Sequence, residues 1–132
     1  MPSIFTRIIN REIPGHIVAE DDNNIAFLDV NPLKIGHVLC VPKEEVNYIF
    51  DMGEDAYINL HSFTKKVAKA VEAAVPCKRI GVAVIGLEVP HVHIHLIPLQ
   101  NISDIDFSKP KLSLSQEELA ETAEKIKAKY QA

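Results

Sequence analysis

Three histidines alternate with apolar residues in HVHIHLIP, residues 91 to 98. On a strand, successive side chains point to opposite faces, so His91, His93 and His95 share one side and Val92, Ile94 and Leu96 the other. The apolar side is expected against the core, which leaves three imidazoles in a row toward solvent or a cleft. A single exposed strand histidine is ordinarily a tolerated surface residue, but strict alternation of three asks for a chemical explanation. Imidazole changes protonation near neutral pH and serves as metal ligand, general acid or base, or nucleophile. One metal shared by all three is disfavoured by reach. At a rise of about 3.3 Å per residue the outer two lie about 13 Å apart, against metal–nitrogen bonds of about 2.0–2.1 Å. A pair completed by His37, in GHVLCVP, or by a carboxylate stays open as a metal site. The other chemistry is nucleophilic catalysis, in which one imidazole attacks while its neighbours orient it, bind phosphate oxygens or handle the leaving group's proton.

These side chains need a scaffold, and the hydrophobic pattern supplies one. Ile4, Phe5, Ile8 and Ile9 recur at helical spacing until Pro14 and Gly15, predicting a short N-terminal helix. HIVAE (16 to 20) and NIAFLDV (24 to 30) flank the turn Asp21, Asp22, Asn23 as a hairpin, and HVLCVP (37 to 42) reads as a third strand. From Glu54 to Val75, Tyr57, Leu60, Thr64, Val67, Val71 and Ala74 step along a long amphipathic helix that Pro76 ends. KRIGVAVIG (78 to 86) and the histidine segment (91 to 98) complete five strands, joined by a loop through Leu87 to Pro90. Residues 115 to 130 predict a C-terminal helix, with Ser115 and Glu118 at capping-box spacing and Leu119, Ile126 and Tyr130 on one face. The expected fold is α+β: a five-stranded antiparallel meander sheet with a long amphipathic helix and short N- and C-terminal helices.

Composition bounds the remaining classes. A length of 132 residues with 47% hydrophobic content suits one domain spanning the chain, residues 1–132. With 14 Lys and Arg against 18 Asp and Glu and no basic run, nucleic acid is not an expected partner. No stretch approaches the roughly 20 apolar residues that span a bilayer, and MPSIFTRIIN lacks the apolar core of a leader, so no membrane partner and a cytoplasmic location are expected. Cys40 and Cys77 lack CxxC spacing and are read as reduced and structural.

HVHIHLI also resembles the pattern that names the histidine triad family. The segment SIFTRIINREIPGHIVAEDDNNIAFLDVNPLKIGHVLCVPKE resembles the amino-terminal half of its nucleotide-binding branch, so the likeness is strongest over residues 3–98. The resemblance implies that His93 is a nucleophile taking up a nucleotidyl group, supported by His91 and His95, with His37 beside them at the phosphate. It implies that Asp29 grips the ribose hydroxyls and that Ile4, Phe5, Ile8, Phe27 and Val30 wall the base, usually a purine. The loop at Gly86 is expected to offer backbone amides to the phosphoryl oxygens. Two departures stand out. Where relatives carry a glycine-rich loop with Asn, then Gln and Ser, this chain has the shorter IGLEVPH, which sets Glu88 beside the phosphate position. Where some relatives bind structural zinc through cysteines, this chain has Ser3 and Thr6, so neither metal nor cofactor is expected. The implied activity is hydrolysis of a purine nucleoside 5'-phosphoramidate or related conjugate through a covalent nucleotidyl-histidine. The alternatives are cleavage of a dinucleoside polyphosphate, or nucleotide binding with little turnover. Symmetric homodimers are the family's usual assembly.

Overall fold

A computed structural model of the chain describes residues 2–132. Helix α1 (Ile4–Ile9) is N-capped by Ser3, whose hydroxyl accepts from the Thr6 amide. Strands β1 (Ile17–Glu20) and β2 (Asn24–Leu28) form the expected hairpin, and the Asp21 carboxylate holds its turn by accepting from the amides of Asn23 and Asn24. Strand β3 (Val38–Pro42) pairs antiparallel with β2. A short 3-10 turn at Ile49–Asp51 leads into α2 (Glu54–Ala74). Strands β4 (Arg79–Ala83) and β5 (Ile94–Leu99) follow, then a 3-10 turn at Ile102–Ile105 and helix α3 (Gln116–Lys129).

All five strands are antiparallel to their neighbours, but their order is β1-β2-β3-β5-β4, so the sheet is a meander only through β3. Strands β3 and β4 each pair antiparallel with β5 and therefore run in the same direction. Parallel strands need a crossover, which α2 provides, and β5 fills the gap that the crossover leaves beside β3.

Strict alternation divides the strand side chains between two cores. Ala26, Leu28, Val38, Cys40, Val92, Ile94 and Leu96 face α2 and α3, packing with Leu60, Phe63, Val67, Val71, Leu119, Ala123 and Ile126. Ile25, Phe27, Leu39 and Val41 face the other way and pack with Phe5 and Ile8 of α1. Helix α3 falls within the expected 115–130 range and packs into the core rather than lying as an appendage. Its Ser115–Glu118 capping box is formed as expected, and it lies against α2 and β1. Among the described residues, no helix is long and apolar enough to cross a membrane.

Candidate active site

The face that carries Phe27 and Leu39 also carries the polar residues at the ends of the same strands. Asp29 follows Phe27 two residues beyond, and His37 precedes Leu39 by two, so both point toward α1's side of the sheet. The Asp29 amide donates to the His37 carbonyl at 3.0 Å, continuing the β2–β3 ladder to this edge. His95 pairs with Leu39 in the next strand and falls on the same face. Sequence-distant residues are thus assembled by register alone.

Of the two settings the alternation allows, open solvent or a cleft, the structure excludes open solvent for His91, His93 and His95. All are buried, at 0%, 7% and 8% exposure. The covering comes from Phe5 on one side, its ring 4.9 Å from that of His93, and Phe107 on the other, 4.8 Å from His95. Nor is the triplet a continuous strand. The ladder begins only at Ile94, while the amides of His91 and Val92 bond to the carbonyls of Val89 and Val46. The His91 ring consequently parts from the other two, whose centroids stay 4.9 Å apart.

Hydrogen-bond polarity fixes what each ring can do. The His93 Nδ1 lies 2.8 Å from the His91 carbonyl, an acceptor, so Nδ1 carries the proton and Nε2 keeps its lone pair. His37 Nδ1 accepts from the Leu33 amide at 3.0 Å, which puts the proton of the neutral ring on Nε2. That Nε2–H donates to His95 Nδ1 at 3.0 Å, so His95 in turn presents an N–H at Nε2. His93 and His95 are neighbours at 4.9 Å between centroids. One therefore offers a lone pair and the other a donor. Burial, with the neighbouring histidine's charge second, lowers the His37 pKa to about 3. Burial, then His93, lowers His95 to about 4, so both rings are neutral at physiological pH.

The His91 ring turns away from this pair. Its Nε2 donates to the Pro42 carbonyl at 2.8 Å and its Nδ1 accepts from the Ser3 hydroxyl at 2.6 Å. Glu45 closes the cluster by accepting from the Ser3 amide at 2.7 Å and the Thr6 hydroxyl at 2.6 Å. These bonds, Ser3's first, hold the Glu45 carboxyl below the usual carboxylate range. Ser3 and Thr6 are spent on a hydrogen-bonded pin. His91 acts on His93 through its backbone carbonyl, with both ring nitrogens already occupied.

Asp29 Oδ2 lies 3.7 Å from His37 Nε2, too far for a hydrogen bond, and its pKa is raised by burial against the lowering effect of the Asn31 amide. The exposed Glu88 also raises it, which puts that carboxylate's field at the site. Asp29, His37 and His95 have ligand atoms within 4.8 Å of one another and are the described residues that could hold a metal ion. This set takes only His95 from the triplet, where the sequence left open a pair. Donor polarity opposes it: His37 could ligate through Nε2 only with its proton on Nδ1, where the Leu33 amide already points its own hydrogen.

Of the expected apolar wall, the Phe5 and Phe27 rings lie 5.4 Å apart at a tilt of 59°, and Ile8 is buried. Ile4 and Val30 are half exposed, on the rim. Gly86 has φ +72°, a left-handed conformation that a side chain would strain, although a Cβ there would meet nothing closer than 4.0 Å. Glu45 and Phe107 belong to no motif in the sequence. No periodicity marks them, and an aromatic between charged residues in DFSKPK was the only available signal.

The HIT domain family model matches residues 10–102. A HIT-like protein of Methanocaldococcus jannaschii is 42% identical over 105 residues, which cover 72% of this chain and 77% of that protein. The adenosine 5'-monophosphoramidase of Schizosaccharomyces pombe is 31% identical over 132 residues, covering 98% of each chain. Among solved structures, a Hit-like protein involved in cell-cycle regulation from Bartonella henselae has a TM-score of 0.83 at 32% identity, covering 96% of this chain and 95% of its own. This chain belongs to the histidine triad (HIT) family.

Proposed function

We propose that the protein hydrolyses purine nucleoside 5'-phosphoramidates or related nucleotide conjugates through a covalent nucleotidyl-histidine. The observation that carries the reading is the bond from His93 Nδ1 to the His91 carbonyl, which leaves Nε2 as a free nucleophile beside the His95 donor. The activity in the name of the fission yeast relative supports the same class. His93 Nε2 attacks the α-phosphorus, the phosphorus–nitrogen bond to the amine breaks, and the amine leaves with a proton drawn from solvent. The positive charge that develops on His93 is held by the His91 carbonyl. Water then adds at phosphorus, the bond to Nε2 breaks, and the monophosphate leaves while a proton returns to solvent. His95 Nε2–H, oriented through His37 and Leu33, donates to a phosphoryl oxygen in both steps. Asp29 receives the ribose hydroxyls, and the wall of Ile4, Phe5, Ile8, Phe27 and Val30 receives the base.

A single domain fits the way α3 closes the same core as the sheet. A C2 homodimer fits the exposed apolar edge: β4 pairs on one side only, and Val82, Val84 and Ile85 are exposed, as is Ile58 on α2. Steady-state assays with adenosine phosphoramidate and diadenosine polyphosphates test the reading. Turnover of the first, lost by at least about a thousandfold in His93→Ala, is the expected outcome. Turnover undiminished in that variant would overturn it.

A further inference from the structure

The residues recognised from sequence leave the site short of positive charge. His37 and His95 are neutral, while Asp29 and Glu88 are carboxylates. A nucleotide brings at least one negative phosphate oxygen into this surrounding, and a carboxylate-flanked pocket of neutral rings does not attract it.

The segment after β5 supplies what is missing. Asp106 accepts from the amide and hydroxyl of Ser108, folding a turn, and the Leu112 amide donates to the Pro32 carbonyl at 2.8 Å. The intervening residues are thereby fastened across the β2–β3 connection that carries Asp29. Phe107 lies edge-on to His95 at 4.8 Å and to His37 at 6.2 Å. The Lys111 Nζ sits 5.8 Å from the Phe107 ring centroid and donates to the carbonyls of Phe107 at 2.7 Å and Lys109 at 3.3 Å. An ammonium has three donors, so one proton is unspent, and Lys111 is exposed. Its charge acts on Asp29, His37 and His95 alike.

We propose that Lys111, held over Phe107 by its own segment's carbonyls, is the cation that binds the phosphate oxygens of a nucleoside monophosphate group at this site. The inference rests on the nucleotide reading and adds a residue beyond the histidine segment to it. Two carbonyls fix the ammonium and leave one donor free for substrate, so the residue acts as a placed charge, and the loss of Lys111 removes affinity for the phosphate while leaving affinity for the nucleoside.

Calorimetric titration of AMP and of adenosine into wild type, Lys111→Met and Lys111→Arg is the test. Wild type binds AMP more tightly than adenosine. Lys111→Met weakens AMP by about tenfold without changing adenosine, and Lys111→Arg recovers most of the loss. AMP affinity unchanged in Lys111→Met overturns the inference, as does an equal loss for both ligands, which marks a structural role. If wild type binds AMP but these variants behave in either of those ways, only the lysine assignment fails. Wild type that binds neither ligand overturns the nucleotide reading, and the inference with it.

Discussion

In the proposed reaction a backbone carbonyl, and not a carboxylate, orients the attacking imidazole. The His91 carbonyl stays put because the His91 ring is pinned at both nitrogens, by Pro42 and by Ser3. Ser3→Ala leaves a buried ring nitrogen without its donor, at an expected cost of about 1–3 kcal/mol, read as a lower melting temperature, together with a fall in kcat. An unchanged melting temperature would show that the pin bears no load. The buried neutral pair His37 and His95 gives a second expectation. Their pKa values in the fold are about 3 and about 4, and unfolding returns both to about 6.5. The unfolded chain therefore binds more protons between those values, and stability falls as pH drops from about 7 toward 4. At pH 5 the loss is on the order of 2 kcal/mol for each ring, while Asp29, raised by burial, works in the opposite direction. Urea melts across pH 5 to 7.5 will show it, and a flat profile would mean that the rings are not held neutral. Elemental analysis of protein purified without chelators is expected to find no stoichiometric zinc, since the Leu33 amide sets the wrong tautomer for ligation at His37. Alternation puts His91, His93 and His95 on one face in the sequence, whereas Asp29 and His37 are brought to the nucleotide site only by the family resemblance. The direction of the His91 ring was not legible, because its partners Ser3 and Pro42 lie 88 and 49 residues away and belong to other elements. Lys111 was illegible for a related reason: its position depends on a loop path fixed by one amide bond to Pro32.

Helix α3 shows what local signals can and cannot reveal at the scale of an element. Its start was written in Ser115 and Glu118, whose reciprocal bonds form as expected. Its apolar face was written too, in Leu119, Ile126 and Tyr130, but not where that face packs: only the tertiary structure shows Leu119, Ala123 and Ile126 completing the core beside β1 and α2. Ile126 is fully buried, and Ile126→Ala is expected to destabilise by about 2–5 kcal/mol, with thermal unfolding as the measurement. A shift below about 0.5 kcal/mol would mean that α3 is not part of the cooperative unit. The strand order was likewise hidden. Five strands could be counted from period-two runs, but whether β4 or β5 joins β3 is decided by the crossover through α2, which leaves no local trace in either strand.

At the scale of the whole molecule, the sheet serves two cores with different tasks. The face toward α2 and α3 is apolar apart from the buried Asn24 at the start of β2, whereas the face toward α1 grades from Ile25, Phe27 and Leu39 into the histidines and Asp29. A stable reverse side lets the reactive side carry polar groups that bury imperfectly. The edge at β4 extends this logic outward: Val82→Glu with Val84→Glu is expected to turn a dimer into a monomer by light scattering, and a wild-type monomer at micromolar concentration would contradict the assembly proposed. The central claim is chemical and admits a direct test. Enzyme quenched with acid-sparing denaturant during turnover of adenosine phosphoramidate should carry one adenylyl group, which peptide mapping by mass spectrometry assigns to His93 and which His93→Ala lacks. Turnover that proceeds with an adduct on another residue would contradict the account.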